Sequence, residues 1–180
     1  TFALFQVPIA RGHFMMINSG LVGLTNAGGI SVAKQMFDTF YSVINPFEQG
    51  NGAAVAFKGR IDSKSLFRYR VFAAGGSGRS TGNIGGVFFS DGRRNFTWAV
   101  GAQLTANVVG RYSRWDTELP EYGAPLKLAF LPGVRYDERD QERFVAPHLK
   151  TVVRWHFLSA LVDVYAKREL EFKSWQFAWQ

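Results

Sequence analysis

The sequence has no cysteine and no apolar run long enough for a membrane-spanning helix. The absence of cysteine excludes disulfide frameworks and thiolate metal sites. A helical span needs about 20 consecutive apolar residues. Residues 14–33 lack charge over such a length, but Asn18, Ser19, Thr25, Asn26 and several glycines interrupt them. This stretch is therefore predicted to be a loop, and a helical membrane protein is excluded.

Acidic residues are scarce, with 14 Asp and Glu against 21 Lys and Arg, which gives a net charge of +7. An excess of positive charge often indicates a nucleic-acid partner. Here the basic residues are dispersed, apart from the pairs at 93–94 and 167–168. The charge therefore predicts small anions as partners and no nucleic acid.

Three segments alternate with a period of two residues, which is the period of a β-strand. Their apolar rows are Phe67, Tyr69, Val71 and Ala73; Phe96, Trp98, Val100, Ala102 and Leu104; and Leu149, Thr151, Val153, Trp155 and Phe157. The opposite rows are largely polar or cationic. Apolar rows that contain aromatic residues near their ends and have a polar row behind them suit a strand that crosses a lipid bilayer. The sequence thus predicts an all-β fold, a transmembrane antiparallel β-barrel.

Strands are expected at 2–8, 52–60, 65–74, 96–109, 126–136, 149–157, 159–168 and 172–179. They form a single domain over 1–180, with a long loop at about 11–50 that could include a short helix at 31–41. Short and long connections alternate, as in membrane barrels. Two alternatives stay open: a complete eight-stranded barrel with a filled interior, and a soluble β-sandwich or ligand-binding barrel.

Three segments resemble the phosphate-selective porin O/P family of Gram-negative outer membranes. They are 6–11 (QVPIAR), 52–59 (GAAVAFKG) and 67–76 (FRYRVFAAGG). The resemblance implies a homotrimer in the bacterial outer membrane, in contact with membrane lipid and lipopolysaccharide. It also implies a barrel of about sixteen strands around an aqueous channel. Because eight strands are half of that number, we expect the chain to be an internal portion of a longer polypeptide.

The cationic rows suggest an anion path. Its candidate pore-lining residues are Arg68, Arg70, Lys150 and Arg154. Fixed positive charge can replace the hydration of a passing anion, and a guanidinium group can bind two oxygens of a phosphate. The alternative is that these are ordinary lumen residues, balanced by Asp163, Glu169 and Glu171.

Aromatic residues near strand ends predict girdles at the two membrane interfaces. The residues assigned to them are Phe96, Trp98, Trp155, Trp175 and Trp179. His148 and His156 share a strand face but would lie about 26 Å apart, so they cannot bind one metal ion. We expect no metal, no other cofactor and no enzymatic activity.

Two functions fit these expectations. The first is an outer-membrane porin, a passive diffusion channel with a preference for anions, among which the family resemblance implies phosphate. The second is a structural outer-membrane β-barrel that anchors another envelope assembly and has envelope proteins as its partners.

Overall fold

A computed structural model describes residues 3–21, 51–75, 98–112, 123–139 and 142–179. These ranges contain nine strands: β1 (Ala3–Ala10), β2 (His13–Leu21), β3 (Asn51–Arg60), β4 (Phe67–Gly75), β5 (Trp98–Val109), β6 (Ala124–Arg139), β7 (Glu142–His156), β8 (Leu158–Glu169) and β9 (Trp175–Trp179). They form one antiparallel sheet in which each strand pairs with the next along the chain. The all-β prediction is confirmed. Within the described ranges no helix has the length and apolar character needed to cross a membrane.

Strand β2 corrects the prediction of a loop that begins at residue 11. It follows a two-residue turn, in which Gly12 has a φ of 81°, and it pairs with β1 and with β3. The sequence obscured this strand because Met15 and Met16 are both apolar and Asn18 and Ser19 are both polar, so the alternation is lost. The predicted helix at 31–41 lies outside the described residues.

Prolines lie inside β6 and β7, and both strands are longer than predicted. The β5–β6 pairing is interrupted at Pro132, between the pairs Gln103–Gly133 and Ala106–Phe130. The β7–β8 pairing is likewise interrupted at Pro147, between the pairs Val145–Arg168 and His148–Tyr165. Proline has no N–H to donate and is unusual within a sheet. Each strand continues because its pairs on the other side, between β6 and β7, are kept.

The turn between β3 and β4 is organised by Asp62. Its carboxylate accepts hydrogen bonds from the backbone N–H of Phe67 at 2.7 Å and of Leu66 at 3.0 Å. These hydrogen bonds, that from Phe67 above all, lower the pKa of the Asp62 carboxyl below its ordinary value, against a smaller opposing effect of desolvation. The turn therefore fixes the point at which β4 begins and, with it, the register of the β3–β4 pair.

The two faces of the sheet differ in composition and in exposure. We call one the crowded face. It contains the two clusters of buried apolar residues, Ala54, Ala56, Phe72 and Ala74 in one and Tyr112, Ala129, Leu131 and Val152 in the other. It also contains every lysine, arginine, histidine or aspartate side chain that is buried among the described residues. These are Arg135, Asp137, His148, Lys150, Arg154, Asp163 and Lys167.

We call the opposite side the apolar face. Its exposed side chains include Ile17, Val55, Phe57, Val71, Val100, Phe130, Val134, Leu149, Val162 and Val164. In a soluble sheet with one solvated side, the exposed row is polar and the buried row is apolar. Here the exposed row is apolar and the buried row contains the charged side chains beside its apolar clusters, and the apolar surface continues across neighbouring strands. Contiguous apolar surfaces of this kind mark contact with protein or membrane.

Candidate functional site

A continuous row of paired residues crosses all nine strands. It consists of Pro8, Phe14, Lys58, Arg70, Gln103, Gly133, His148, Tyr165 and Ala178, each opposite the next. Residues directly opposite each other place their side chains on the same face of a sheet. Its polar members are Lys58, Arg70, Gln103, His148 and Tyr165. They are far apart in the sequence, so only the register brings them into one line.

A hydrogen bond between Gln103 and His148 bridges β5 and β7 across the intervening strand. The Gln103 Nε2 and His148 Nε2 atoms are 3.0 Å apart. The residue between them on β6 is Gly133, and the His148 ring lies where a Cβ would stand. The ring of Tyr165 follows on β8, with its centroid 6.2 Å from that of His148. A glycine at 133 is therefore what allows the two side chains to meet.

Replacing Gly133 by alanine is expected to break this bridge and to destabilise the fold by about 1–3 kcal/mol, the usual cost of overpacking. Urea titration monitored by tryptophan fluorescence measures this change. The His148→Ala variant provides the matched background, because removing the ring leaves room for the added methyl group. In a double-mutant cycle, a Gly133→Ala cost that is the same with and without the His148 ring would contradict the proposed clash.

The four candidate pore-lining cations all lie on the crowded face, in two groups. Arg68 and Arg70 on β4 are half-buried. Lys150 and Arg154 on β7 are buried, with exposed fractions of 3% and 6%. Strands β5 and β6 lie between the groups, which corresponds to about 14 Å at the usual strand spacing. One continuous stripe of four cations is therefore not formed.

Carboxylates accompany the buried cations. Asp163 lies directly opposite Lys150 and accepts a hydrogen bond of 2.8 Å from the Tyr165 hydroxyl. Asp137 accepts a hydrogen bond of 2.7 Å from Arg135 Nε, two residues earlier on β6. The strand predicted at 126–136 ends one residue before Asp137, and the position of Asp137 inside β6 corrects that bound. No pattern in the sequence identified the Arg135–Asp137 pair, because it depends on how far β6 extends.

Four of the five aromatic residues assigned to the girdles lie among the described residues. Trp98 begins β5 and Trp175 begins β9, both at the end of the sheet where β4 and β8 finish. Trp155 lies at the opposite end, next to the short β7–β8 connection, and Trp179 lies opposite Val164 in the middle of β8. All four side chains are exposed. Phe96 lies outside the described residues.

A cavity of about 470 Å³ opens on the crowded face beside the turns that join β1 to β2 and β3 to β4. Its described lining includes four cations and no carboxylate. The cations are Lys58, Arg60, Arg68 and Arg70. Positive charge without a lining carboxylate makes this cavity the strongest candidate anion site among the described residues.

Tyr112 lines this cavity, and Asn107 holds it in place. No pattern in the sequence indicated either residue. The Asn107 side chain donates to the Ser65 carbonyl at 3.1 Å and accepts from the Tyr112 N–H at 2.8 Å. The Tyr112 carbonyl in turn accepts a hydrogen bond of 2.7 Å from the Arg68 guanidinium. The start of the β5–β6 connection is thereby held against the crowded face.

Comparison of the chain with models of protein families, with curated proteins and with solved structures found no match. The residues themselves must therefore indicate the function. In the described part of the chain, no group of three His, Cys, Asp or Glu side chains is arranged to hold a metal ion.

Proposed function

We propose that this chain forms part of the wall of a transmembrane β-barrel, a passive diffusion channel that prefers anions. The observation that supports this most directly is the reversed polarity of the sheet, with an exposed apolar face and a charged crowded face. A barrel in a membrane needs this arrangement, because its outside contacts lipid and its inside contacts water.

In this proposal membrane lipid covers the apolar face. Lipid offers no hydrogen bonds to free backbone groups, so a sheet within it has to have both edges paired. Strands β1 and β9 are the edges of the described sheet, and each must therefore pair with a further strand of this chain or of another copy. The outer-membrane location, the contact with lipopolysaccharide and the homotrimer stay predictions from the family resemblance.

The preference for anions is supported by the charge of the crowded face. Its cations among the described residues are Lys58, Arg60, Arg68, Arg70, Lys127, Arg135, Lys150, Arg154 and Lys167, and its carboxylates are Asp137, Asp163 and Glu169. Walls with an excess of fixed positive charge attract anions into a pore and repel cations. Arg68 and Arg70 are more accessible than the buried cations of β7, so we assign them the larger share of the selectivity.

The channel is tested by recording from planar bilayers under a gradient of potassium chloride. We expect the reversal potential of the native protein to indicate anion preference. The variant with both Arg68→Glu and Arg70→Glu is expected to lose or reverse that preference. Its matched control has Arg168→Glu and Lys173→Glu, which change the net charge equally but lie at the β8–β9 end, away from the cavity.

Each outcome has a definite meaning. An unchanged reversal potential in the folded Arg68/Arg70 variant would remove these arginines from the conducting path. An equal change in both variants would attribute the preference to net charge alone. Complete absence of conductance from the folded native protein would overturn the channel and favour the anchor for another envelope assembly.

A further inference from the structure

The four cations of the cavity form a two-by-two array. Lys58 lies directly opposite Arg70, and Arg60 lies directly opposite Arg68. Side chains of such opposed pairs start about 5 Å apart, and the two pairs are separated by about 6.6 Å along the strands. Like charges directly opposite each other destabilise a sheet. A bound anion would relieve that repulsion at both pairs.

Neighbouring residues hold the members of this array in place. The Arg60 side chain lies across Gly12, where any Cβ would displace it. The Lys58 ammonium lies 5.9 Å from the centre of the Phe14 ring. Arg68 is fixed by its hydrogen bond to the Tyr112 carbonyl. A site whose charges are positioned in advance loses less entropy when it binds a ligand.

Arg68 also has a donor atom without a hydrogen-bond partner in the described part of the chain, which indicates a ligand. Its Nε atom is buried and has no hydrogen-bond partner among the described residues. Guanidinium groups bind carboxylates and phosphates through paired N–H donors. An acidic group at this end of the cavity would satisfy the Arg68 Nε.

We propose that the cavity binds a small organic dianion, a molecule with an acidic group at each end of a short carbon frame. One acidic group would lie between Lys58 and Arg70, and the other between Arg60 and Arg68. The volume of about 470 Å³ exceeds what a single inorganic oxyanion would fill, and the Phe14 ring offers an apolar surface for the frame. A role of this site in transport rests on the proposed function, because it requires the channel. Binding of the dianion can be measured without a channel.

Isothermal titration calorimetry of the folded chain in detergent tests the site, with adipate as the probe. The extended chain of adipate separates its two carboxylates by roughly the distance between the cation pairs, about 6.6 Å. Ionic strength is kept low, because salt screens such interactions. We expect saturable binding of one adipate per chain, with acetate and inorganic phosphate at least tenfold weaker.

Variants locate the site within the chain. Arg60→Gln is expected to weaken adipate binding at least tenfold, and Arg60→Lys to weaken it by less, since it keeps the charge and loses the planar fork. Arg168→Gln is the matched control, because it removes the same charge from an exposed position on β8, and it should bind adipate as the native protein does.

Three results would overturn the proposal: no adipate binding, phosphate binding as tight as adipate binding, or equal weakening by Arg60→Gln and Arg168→Gln. The phosphate result would indicate a site for a single oxyanion. Adipate binding by a protein that shows no conductance would leave this inference standing and remove the channel. Conductance with anion preference but without adipate binding would leave the channel standing and remove this inference.

Discussion

A Val71→Arg variant is expected to lose about 2–4 kcal/mol of folding free energy in lipid, which is the usual cost of an arginine on the lipid side of a barrel near the bilayer midplane. Val71 lies at the centre of β4 on the apolar face and is 39% exposed. Its partners across the strands are Phe57 and Ala102. If lipid covers this face as proposed, a guanidinium at this position has no polar residue directly opposite it. Urea titration of the chain folded into liposomes measures the loss.

Two controls separate lipid contact from other effects. Val71→Leu enlarges the side chain without adding charge and should change stability little. Ser63→Arg adds the same charge at an exposed position in the turn between β3 and β4, outside the apolar face, and we expect it to be tolerated. A Val71→Arg variant as stable as Ser63→Arg would show that water, and not lipid, covers the apolar face.

An Asp137→Ala variant is expected to lose about 3–5 kcal/mol, because it leaves the Arg135 guanidinium buried without its counter-charge. The exposed fractions of Asp137 and Arg135 are 1% and 4%, and the atoms of the pair are 2.7 Å apart. The residues opposite Asp137 are Ala99 and Phe144, which cannot replace the carboxylate. Equilibrium unfolding in urea again provides the measurement.

The exposed pair of Arg143 and Glu171 is the matched control, with the same 2.7 Å separation. Glu171→Ala is expected to cause no resolvable change, since solvent screens exposed ion pairs. The double variant Arg135→Met with Asp137→Leu should recover most of the lost stability, because removing both charges leaves neither one unpaired. A loss at Asp137→Ala no larger than at Glu171→Ala would contradict the buried pair.

The sequence by itself determined the all-β class and, for the regularly alternating strands, the separation of the two faces. Side chains alternate across any strand, so the rows that contain Phe67, Trp98 and Leu149 could be assigned to one side before any pairing was known. The structure places Val71, Val100 and Leu149 on the apolar face and Arg70 and Lys150 on the crowded face. Local spacing is sufficient for this because it depends on no other strand.

Tertiary structure decided which polar side chains meet. Pairing gave β2 a place in the sheet despite its irregular sequence, and β6 and β7 continued past Pro132 and Pro147 because they pair with each other. The Gln103–His148 bridge and the cation array depend on register, which joins residues up to 45 positions apart. A shift of one residue would move every side chain to the other face, and the sequence of a single strand contains no information about the alignment of its neighbour.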